Sequence, residues 1–433
     1  MADTPTRRRF LQASLGATAG LSPCGSWNVA RLIADESMTR TSTPSERQVK
    51  LPVAAVVTVY RKGSHADVIV GKILEGWSQD GGPGPDLELV SLYVDQTGDG
   101  DLSEKLAKKH GFRVAKTIRE ALTLGTDSLA VAGVLSVGEH GHYPSVPETQ
   151  QVMYPRRRFF DEIVATFTEC HKVVPVFNDK HLSYGWGDAK HMYDTARELR
   201  IPFMAGSSVP VAWRKPSVTI PRGSELTEAI AIGHGGLEAY GFHAIEGMQC
   251  LMERRNRGES GVKSVQAVTG DGIWQAEKAG RWSRSLLDAV VAATPTPYNG
   301  KAPRPKEMAQ DAVFYLIDYR DGTRATIAMN TGFAHEFACA VSVRGMKEPL
   351  ALTYVLEEAP PFRHFEHLLR AIEQMIHSGK PPYPVERTLL TTGILDAALH
   401  SLGDNGRLLE TPHLAVTYEP VDWPFAKGVP GPS

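Results

Sequence analysis

The fold class is decided by residues 171–208, HKVVPVFNDKHLSYGWGDAKHMYDTARELRIPFMAGSS. The apolar, β-branched run VVPVF predicts a buried strand that ends at the polar group 178–181. A helix with apolar residues on one face follows, and IPFMAGSS predicts a second buried strand. Because ligands of parallel α/β sheets bind beyond the carboxyl ends of the strands, Lys180 is predicted at the mouth of the sheet. A lysine there can donate a proton or polarise an oxygen.

The same alternation of strands and helices extends towards the amino terminus. Strands are predicted at VAAVVTVY, at LELVSLYVD ending on Asp95, and at SLAVAGVLSVG, which leads into Glu139 and His140. Helices such as SEKLAKKHG lie between them. This spacing favours a doubly wound parallel sheet. We therefore predict an α/β protein whose Rossmann-like domain spans residues 50–208.

The second half of the chain has a different pattern. DAVFYLIDYRDGTRATIAMNTGF predicts two strands joined at an Asp321-Gly322 turn, which is a strong hairpin signal. ACAVSVRG and VKSVQAVTGDGIW continue an antiparallel series, and HFEHLLRAIEQMIHSGKPP and ERTLLTTGILDAALHSLGDNGR predict amphipathic helices. The pattern predicts an α+β domain over 209–425 with an open-faced, mostly antiparallel sheet, followed by a tail over 426–433.

Residues 1–49 are predicted to be an export signal and a linker. The run TRRRFLQ at 6–12 matches the twin-arginine signal, which predicts an exported, periplasmic protein. Residues 26–49 are polar and rich in Ser and Thr, as is typical of a disordered linker.

The composition argues against several classes of partner. Lys and Arg total 47, Asp and Glu total 49, and the net charge is −2, so no nucleic-acid partner is expected. No run approaches the ~20 apolar residues of a transmembrane helix, so stable membrane insertion is not expected. Cys170, Cys250 and Cys339 lack metal-ligand spacing and are predicted to be small buried hydrophobes. An open-faced sheet with hydrophobic strands usually finds a partner, which predicts a homo-oligomer.

The turn after the first predicted strand bears on cofactor binding. A dinucleotide-binding sheet needs a glycine-rich turn there, because backbone amides approach the pyrophosphate closely. Residues 58–65, TVYRKGSH, contain one glycine, Gly63. Arg61 and Lys62 can supply positive charge instead, and Ser64 can cap the following helix. Asp95 ends the second predicted strand, where an acid contacts a ribose hydroxyl in such sheets.

The chain after residue 50 resembles the Gfo/Idh/MocA oxidoreductases, the family of glucose-fructose oxidoreductase and inositol dehydrogenase. VVPVFNDKH stands where the family has a strand ending in Glu-Lys-Pro, so Lys180 takes the place of the family's active-site lysine. GGLEAYGFHAIE is similar to the family's Asp-x-Gly-x-His-x-x-Asp segment, with Gly241, His243 and Glu246 on its glycine, histidine and final acid. YRDGTRATI and the closing helices follow in the same order.

This resemblance implies an NAD(P)-dependent oxidoreductase that acts on a hydroxyl of a sugar or polyol. His243 would be the general base, and Lys180 would hold the substrate oxygen. Hydride would pass to the nicotinamide, because protein side chains cannot accept it. The cofactor and the mouth of the sheet would be lined by Tyr60, Gly63, Asp95, Glu139 and His140.

The predicted environment of His243 suits a proton acceptor. The sequence FHAIEGMQCLMER predicts that His243 begins a helix, where the positive end of the dipole lowers an imidazole pKa. A nearby Lys180 ammonium would lower it further. We therefore expect Lys180 and His243 to approach one another across the boundary between the two domains.

Three other interpretations stay open. The first is a protein of this fold that has lost the dinucleotide and catalyses elimination, epimerisation or hydrolysis of a sugar. The second is a metal site, for which carboxylates and histidines at strand ends are suitable ligands: Glu139, His140, His142, Asp179 and His181. The third is a non-catalytic carbohydrate-binding protein, with Tyr184, Trp186 and Trp213 as stacking faces.

Overall fold

The computed structural model describes residues 50–294, 311–331, 335–357 and 359–428. The predicted twin-arginine segment and linker, and the end of the predicted tail, lie outside these described residues.

The first half forms a six-stranded sheet in which each strand pairs with parallel neighbours, as predicted. Its strands are β1 (Leu51–Val57), β2 (Leu87–Val94), β3 (Arg113–Ala115), β4 (Gly133–Val137), β5 (Val176–Asp179) and β6 (Phe203–Gly206). The strand order is β3-β2-β1-β4-β5-β6. The connecting helices are α1 (His65–Glu75), α2 (Ser103–His110), α3 (Ile118–Thr123), α4 (Arg156–Glu169) and α5 (Trp186–Glu198). The order reverses between β1 and β4, where ligands of such sheets bind.

Burial explains why these runs form strands. Residues 53–57 of β1 are all fully buried and apolar, because both faces of the parallel sheet are covered. Alternate β1 residues contribute to two separate hydrophobic clusters, with Val53, Ala55 and Val57 in one and Ala54 and Val56 in the other.

The second half forms an eight-stranded mixed sheet. Its strands are β7 (Trp213–Lys215), β8 (Leu226–Gly233), β9 (Val262–Thr269), β10 (Val313–Tyr319), β11 (Arg324–Met329), β12 (Phe337–Val343), β13 (Leu350–Val355) and β14 (Leu409–Glu410). The order is β14-β9-β10-β11-β8-β12-β13-β7, antiparallel except between β8 and β11. The predicted hairpin joins β10 to β11, with Gly322 at a φ of +87° that favours glycine. The predicted fold class is thus confirmed.

Helices cover both faces of this second sheet, which differs from the open face predicted. The helices of this half are α6 (Ala239–Met252), α7 (Asp271–Lys278), α8 (Arg284–Ala292), α9 (His364–Ser378) and α10 (Glu386–Gly403). One face packs on α6 and α10, and alternate strand residues on the other pack on α7 and α8. The apolar side chains of the amphipathic α7 and α8 account for this cover. The homo-oligomer, which was predicted from an open face of this sheet, stays a prediction.

Helix α9 belongs to the second half of the sequence but packs on the first sheet. Its apolar face, including Leu368, Ile372 and Ile376, joins the cluster that contains β1 and α1. Gly133 of β4 permits this contact, because a Cβ there would lie 2.7 Å from the Ile376 side chain. The first residues of α9 are thereby placed beside the carboxyl ends of the parallel strands.

Within the described part of the chain, no helix is long and apolar enough to cross a membrane. Cys250 and Cys339 are buried and Cys170 is partly exposed, and all three are free thiols.

Candidate active site

Lys180 directly follows β5, as predicted, and is buried. Its backbone has a φ of +61°, a left-handed conformation that is costly for a lysine and that recurs at functional sites. Its amide donates to the Gly206 carbonyl at 3.2 Å, which ties the end of β5 to β6. The Nζ atom lies 3.0 Å from Oε1 of Glu139, at the end of β4. The two neighbouring strands thus bring a cation and an anion together beyond their carboxyl ends.

Glu139 is held between two cations. Its Oε2 accepts from Nη2 of Arg156 at 2.6 Å, on the first residue of α4. Burial alone would raise the pKa of Glu139, but the charges of Lys180 and Arg156 outweigh burial and hold this pKa well below its ordinary value. Glu139 is therefore ionised at neutral pH. Its carboxylate is paired with Lys180 and Arg156 and is not free to bind a cofactor.

His243 lies in the second turn of α6, since the helix begins at Ala239, four residues earlier than predicted. The helix dipole acts mainly within the first turn, so it is not the main cause of the histidine's properties. Burial, and then the charge of Lys180, lower the pKa of His243 well below its ordinary value. The ring is still partly exposed. Its Nδ1 is buried and has no hydrogen-bond partner among the described residues, so no internal contact engages this nitrogen.

A second histidine, His65, belongs to the same site and was not predicted. It is the first residue of α1, and its Nδ1 lies 2.6 Å from Oδ2 of Asp179, the last residue of β5. The charge of His65 also lowers the pKa of His243, after burial and the charge of Lys180. The sequence signal was present: a histidine at the start of the first helix, and an aspartate next to Lys180.

Two further imidazoles surround His65. His140 has a φ of +68°, and its ring lies edge-on to that of His65 at 5.4 Å between centroids. Burial, and then the charge of His65, lower the pKa of His140 to about 4. His364, at the start of α9, has its pKa lowered to about 3 by burial and then by His65. His140 and His364 are therefore neutral at physiological pH.

In its observed conformation, the turn after β1 does not fit a dinucleotide. Tyr60 is fully buried in the hydrophobic core. Gly63 has the expected positive φ of +75°, but its amide donates to Oδ2 of Asp67 at 2.9 Å. The Ser64 amide donates to the Arg61 carbonyl at 3.0 Å. Two of the amides in this turn are therefore engaged within the chain.

Asp95, the predicted ribose ligand, is engaged as well. The hydroxyls of Tyr93 and Tyr143 donate to its two carboxylate oxygens at 2.8 and 2.7 Å, and Arg158 donates to Oδ1. Burial opposes ionisation, but these hydrogen bonds outweigh it and lower the pKa of Asp95. An adenosine ribose would have to displace internal partners to bind this carboxylate.

The metal interpretation is wrong for the described residues. None of their histidine, cysteine and carboxylate groups forms a cluster of three that could hold a metal ion. The reason is the pairing of the carboxylates, Glu139 with Lys180 and Asp179 with His65. His142 is exposed.

The aromatic residues predicted to stack on a sugar lie elsewhere. Trp213 is buried edge-on to His367, Trp186 packs on His413, and Tyr184 lines a surface hollow with Asp188. The rings next to His243 are instead those of Phe337 and Tyr240, at 5.5 and 6.1 Å.

Glu246 occupies the position of the family's final acid and lies one helical turn after His243. It is buried, and Oε2 accepts from the amide and hydroxyl of Ser207 at 2.7 and 2.6 Å. Gly206, with a φ of +127°, allows this approach, because a Cβ there would clash with Oε1. Burial raises the pKa of Glu246 from 4.5 to about 7.

Glu246→Gln is expected to change the pH dependence of stability. The folded pKa of about 7 lies above the unfolded one of 4.5, so the contribution of Glu246 is fully present below 4.5 and is lost as pH rises through about 7. Melting temperatures measured from about pH 5 to about pH 8 should therefore fall in the wild type relative to the variant. The exposed Glu104→Gln is the control, and parallel curves for wild type and Glu246→Gln would contradict the prediction.

Comparison with known proteins gives matches at the level of structure. No family model and no curated protein matches the sequence. The crystal structure of GenD2 from gentamicin A biosynthesis, in complex with NAD, is 14% identical and has a TM-score of 0.53, covering 86% of this chain and 99% of its own. A probable dehydrogenase from Thermotoga maritima is 13% identical with a TM-score of 0.50, covering 84% and 99%.

Identities this low carry the fold and not the activity. Both comparisons nevertheless extend over nearly all of the neighbouring protein, so they include the parallel sheet and the mixed sheet together. The chain therefore has the fold of the Gfo/Idh/MocA oxidoreductases.

Proposed function

We propose that the protein is an exported enzyme that transfers protons at a hydroxyl-bearing carbon of a sugar or polyol. The observation that carries the proposal is His243, a neutral imidazole on a partly exposed residue, whose buried Nδ1 has no hydrogen-bond partner among the described residues and whose pKa is lowered by the charge of the buried Lys180. A neutral imidazole accepts a proton, and a fixed ammonium stabilises negative charge on the oxygen that results. Glu139 holds Lys180 in place through the 3.0 Å ion pair.

Two reactions use this arrangement of groups. Oxidation of a sugar or polyol hydroxyl is the reaction that the fold favours, and it needs a nicotinamide to take the hydride. A redox-neutral reaction, such as epimerisation or elimination, needs no hydride acceptor but is helped by a second acid–base group. The His65–Asp179 pair favours this second candidate, because the carboxylate orients an imidazole whose charge acts on His243.

The aromatic residues next to His243 support a sugar as the substrate. Tyr240 is 42% exposed, although it is a large aromatic side chain. Its ring is nearly parallel to that of Phe337, at 6.1 Å and 29°. The positive-φ Gly235 packs against its ring, since a Cβ there would lie 2.9 Å from Cγ. An exposed ring held in this way offers a flat apolar face for the C–H face of a sugar.

The proposal is tested with purified protein and a panel of aldoses, ketoses, uronates and polyols in D₂O, with and without NAD⁺ or NADP⁺. Mass spectrometry and NMR record deuterium incorporation and new products, and absorbance records reduced nicotinamide. We expect conversion of at least one panel member and its loss in His243→Ala. Equal conversion by the wild type and the variant would contradict the proposal.

Export is proposed from the segment TRRRFLQ at 6–12. The twin-arginine pair is what the export machinery recognises, so Arg7→Lys with Arg8→Lys is expected to leave uncleaved precursor in the cytoplasm. Cell fractionation followed by immunoblotting measures this, and Arg31→Lys in the linker is the matched control. Normal export of the double variant would refute the assignment.

A further inference from the structure

The geometry points to a dinucleotide site that the chain's own side chains occupy, so that the enzyme works without a free nicotinamide dinucleotide and its reaction is redox-neutral. Three sets of contacts occupy the nucleotide site: at the start of α1, at the end of β2, and in the loop that follows β4. The redox-neutral reaction, in contrast, rests on the proposed function.

At the start of α1, the Asp67 carboxylate takes an amide donor and a cation that a phosphate would use. A helix amino terminus binds phosphate through free amides and the positive dipole end. Here the Asp67 carboxylate accepts from the Gly63 amide at 2.9 Å and lies 3.6 Å from Nζ of Lys62. Asp67 is buried, and its own amide donates to the Ser64 hydroxyl. A pyrophosphate would bring two more negative charges to a carboxylate that already uses the donor and the cation.

At the end of β2, internal hydrogen bonds occupy the Asp95 carboxylate that would bind the ribose. Tyr93, Tyr143 and Arg158 together supply three donors to its two oxygens. Tyr143 comes from the loop after β4, and Arg158 comes from α4. The carboxylate therefore joins parts of the chain to one another, and its loss to a ligand would break three internal hydrogen bonds.

The loop after β4 closes the space between these two points. Gln96 binds the backbone of His142 through two hydrogen bonds, of 2.9 and 3.0 Å. A Cβ on Gly141 would lie 2.8 Å from the Tyr143 ring, 3.0 Å from Gln96 and 3.3 Å from Val59. Gly141, with a φ of +104°, is thus packed tightly over the carboxyl ends of β1 and β2. In sheets of this order that edge holds the adenosine half of a dinucleotide.

The remaining chemistry follows from an electron balance. Removing hydride from a hydroxyl-bearing carbon needs an acceptor that side chains do not provide. Proton transfer beside a carbonyl needs none. His243 takes the proton from the carbon next to a sugar carbonyl, the C–H electron pair moves into the carbonyl, and Lys180 stabilises the enolate oxygen. In epimerisation, His65 donates a proton to the opposite face of that carbon, which leaves His65 neutral and His243 protonated. In elimination, the enolate electron pair forms a C=C bond and expels the hydroxyl of the next carbon, which leaves as water with the proton that His243 took.

The substrate class that follows is a sugar with a carbonyl group beside the reacting carbon. The C–H bond of a simple polyol is too weakly acidic for an imidazole to break.

The nucleotide site is tested with NAD⁺, NADH, NADP⁺ and NADPH as probes on the purified full-length protein. Nucleotide released by denaturation is assayed first, and binding is then measured by calorimetry. We expect no released nucleotide and no wild-type binding at about 1 mM, the weak limit of the assay. Asp67→Asn, which removes the internal charge, should bind at least about tenfold more tightly than the wild type. Asp127→Asn, at a fully exposed carboxylate, is the control.

The outcomes separate this inference from the proposed function. Copurified nucleotide, or wild-type binding in the micromolar range, would overturn the occupied site even if His243→Ala had lost all turnover. If the affinity of Asp67→Asn for the nucleotides rises no more than that of Asp127→Asn, Asp67 does not block the nucleotide site. Deuterium entering a keto sugar or uronate without nucleotide, and less so in His65→Ala, would support redox-neutral chemistry. Conversion that depends strictly on added NAD(P)⁺ would reject it.

Discussion

His243→Ala is expected to lower kcat/KM by about 10²–10⁴-fold, the usual contribution of a positioned general base. His243 is a partly exposed residue whose ring packs on Phe337, so removal of the ring leaves a space that water can enter, and we expect the fold to stay intact. Steady-state kinetics on the substrate found in the sugar panel measures the loss. Circular dichroism and thermal melting should match the wild type.

Two controls make this result specific. His400→Ala removes an exposed histidine at the end of α10 and should leave kcat/KM unchanged. Added imidazole should restore part of the activity of His243→Ala, because a small base can occupy the vacated space, whereas it should not affect the wild type. Unchanged turnover in His243→Ala would show that the proton acceptor lies elsewhere.

Arg387→Met is expected to lower the free energy of unfolding by about 3–5 kcal/mol, the cost of breaking a buried ion pair from one side. The side chains of Arg387 in α10 and Glu253, next to the end of α6, are 7% and 1% exposed, and Nε lies 2.7 Å from Oε2. Without the guanidinium, the buried carboxylate keeps the Tyr418 hydroxyl at 2.9 Å as its remaining side-chain donor. Urea denaturation followed by fluorescence measures the change.

A matched surface pair provides the control. Arg370 and Glu366 form an i,i+4 pair on α9 with the arginine 48% exposed, so Arg370→Met should cost less than about 1 kcal/mol. The double variant Arg387→Met with Glu253→Gln should recover part of the loss, because no unpaired charge is then buried. Equal effects for Arg387→Met and Arg370→Met would show that the pair between α6 and α10 is not a stability determinant.

Much of the fold could be predicted from local sequence patterns. The continuous apolar run ending at Lys180 predicts a buried parallel strand, and β5 ends one residue before this lysine. The Asp321-Gly322 pair predicts the β10–β11 hairpin, because few other sequences adopt that turn. The start of α6 was predicted four residues late. Glu238, just before the helix, makes no side-chain cap, and glycines at 235, 236 and 241 obscure the beginning.

The candidate site could be predicted in part. The resemblance and the strand pattern together point to Lys180 and His243, which the structure brings within electrostatic reach. His65 was missed because a histidine at a helix start is common, and nothing local shows that Asp179, 114 residues away, will pair with it. The ribose-binding role predicted for Asp95 also depends on whether distant side chains already donate hydrogen bonds to its carboxylate.

The sequence by itself determined where strands and helices lie and which residues end the parallel strands, because burial and turn chemistry act over a few neighbouring residues. Only the tertiary structure decided which charged groups are free to bind a ligand. Asp95 is engaged by Tyr143 and Arg158, which are 48 and 63 residues away, and Glu139 by Lys180, 41 residues away. Such pairs form when folding brings distant loops together over one sheet edge. A buried carboxylate then takes whichever donors arrive there, since leaving it unpaired costs more than any local preference.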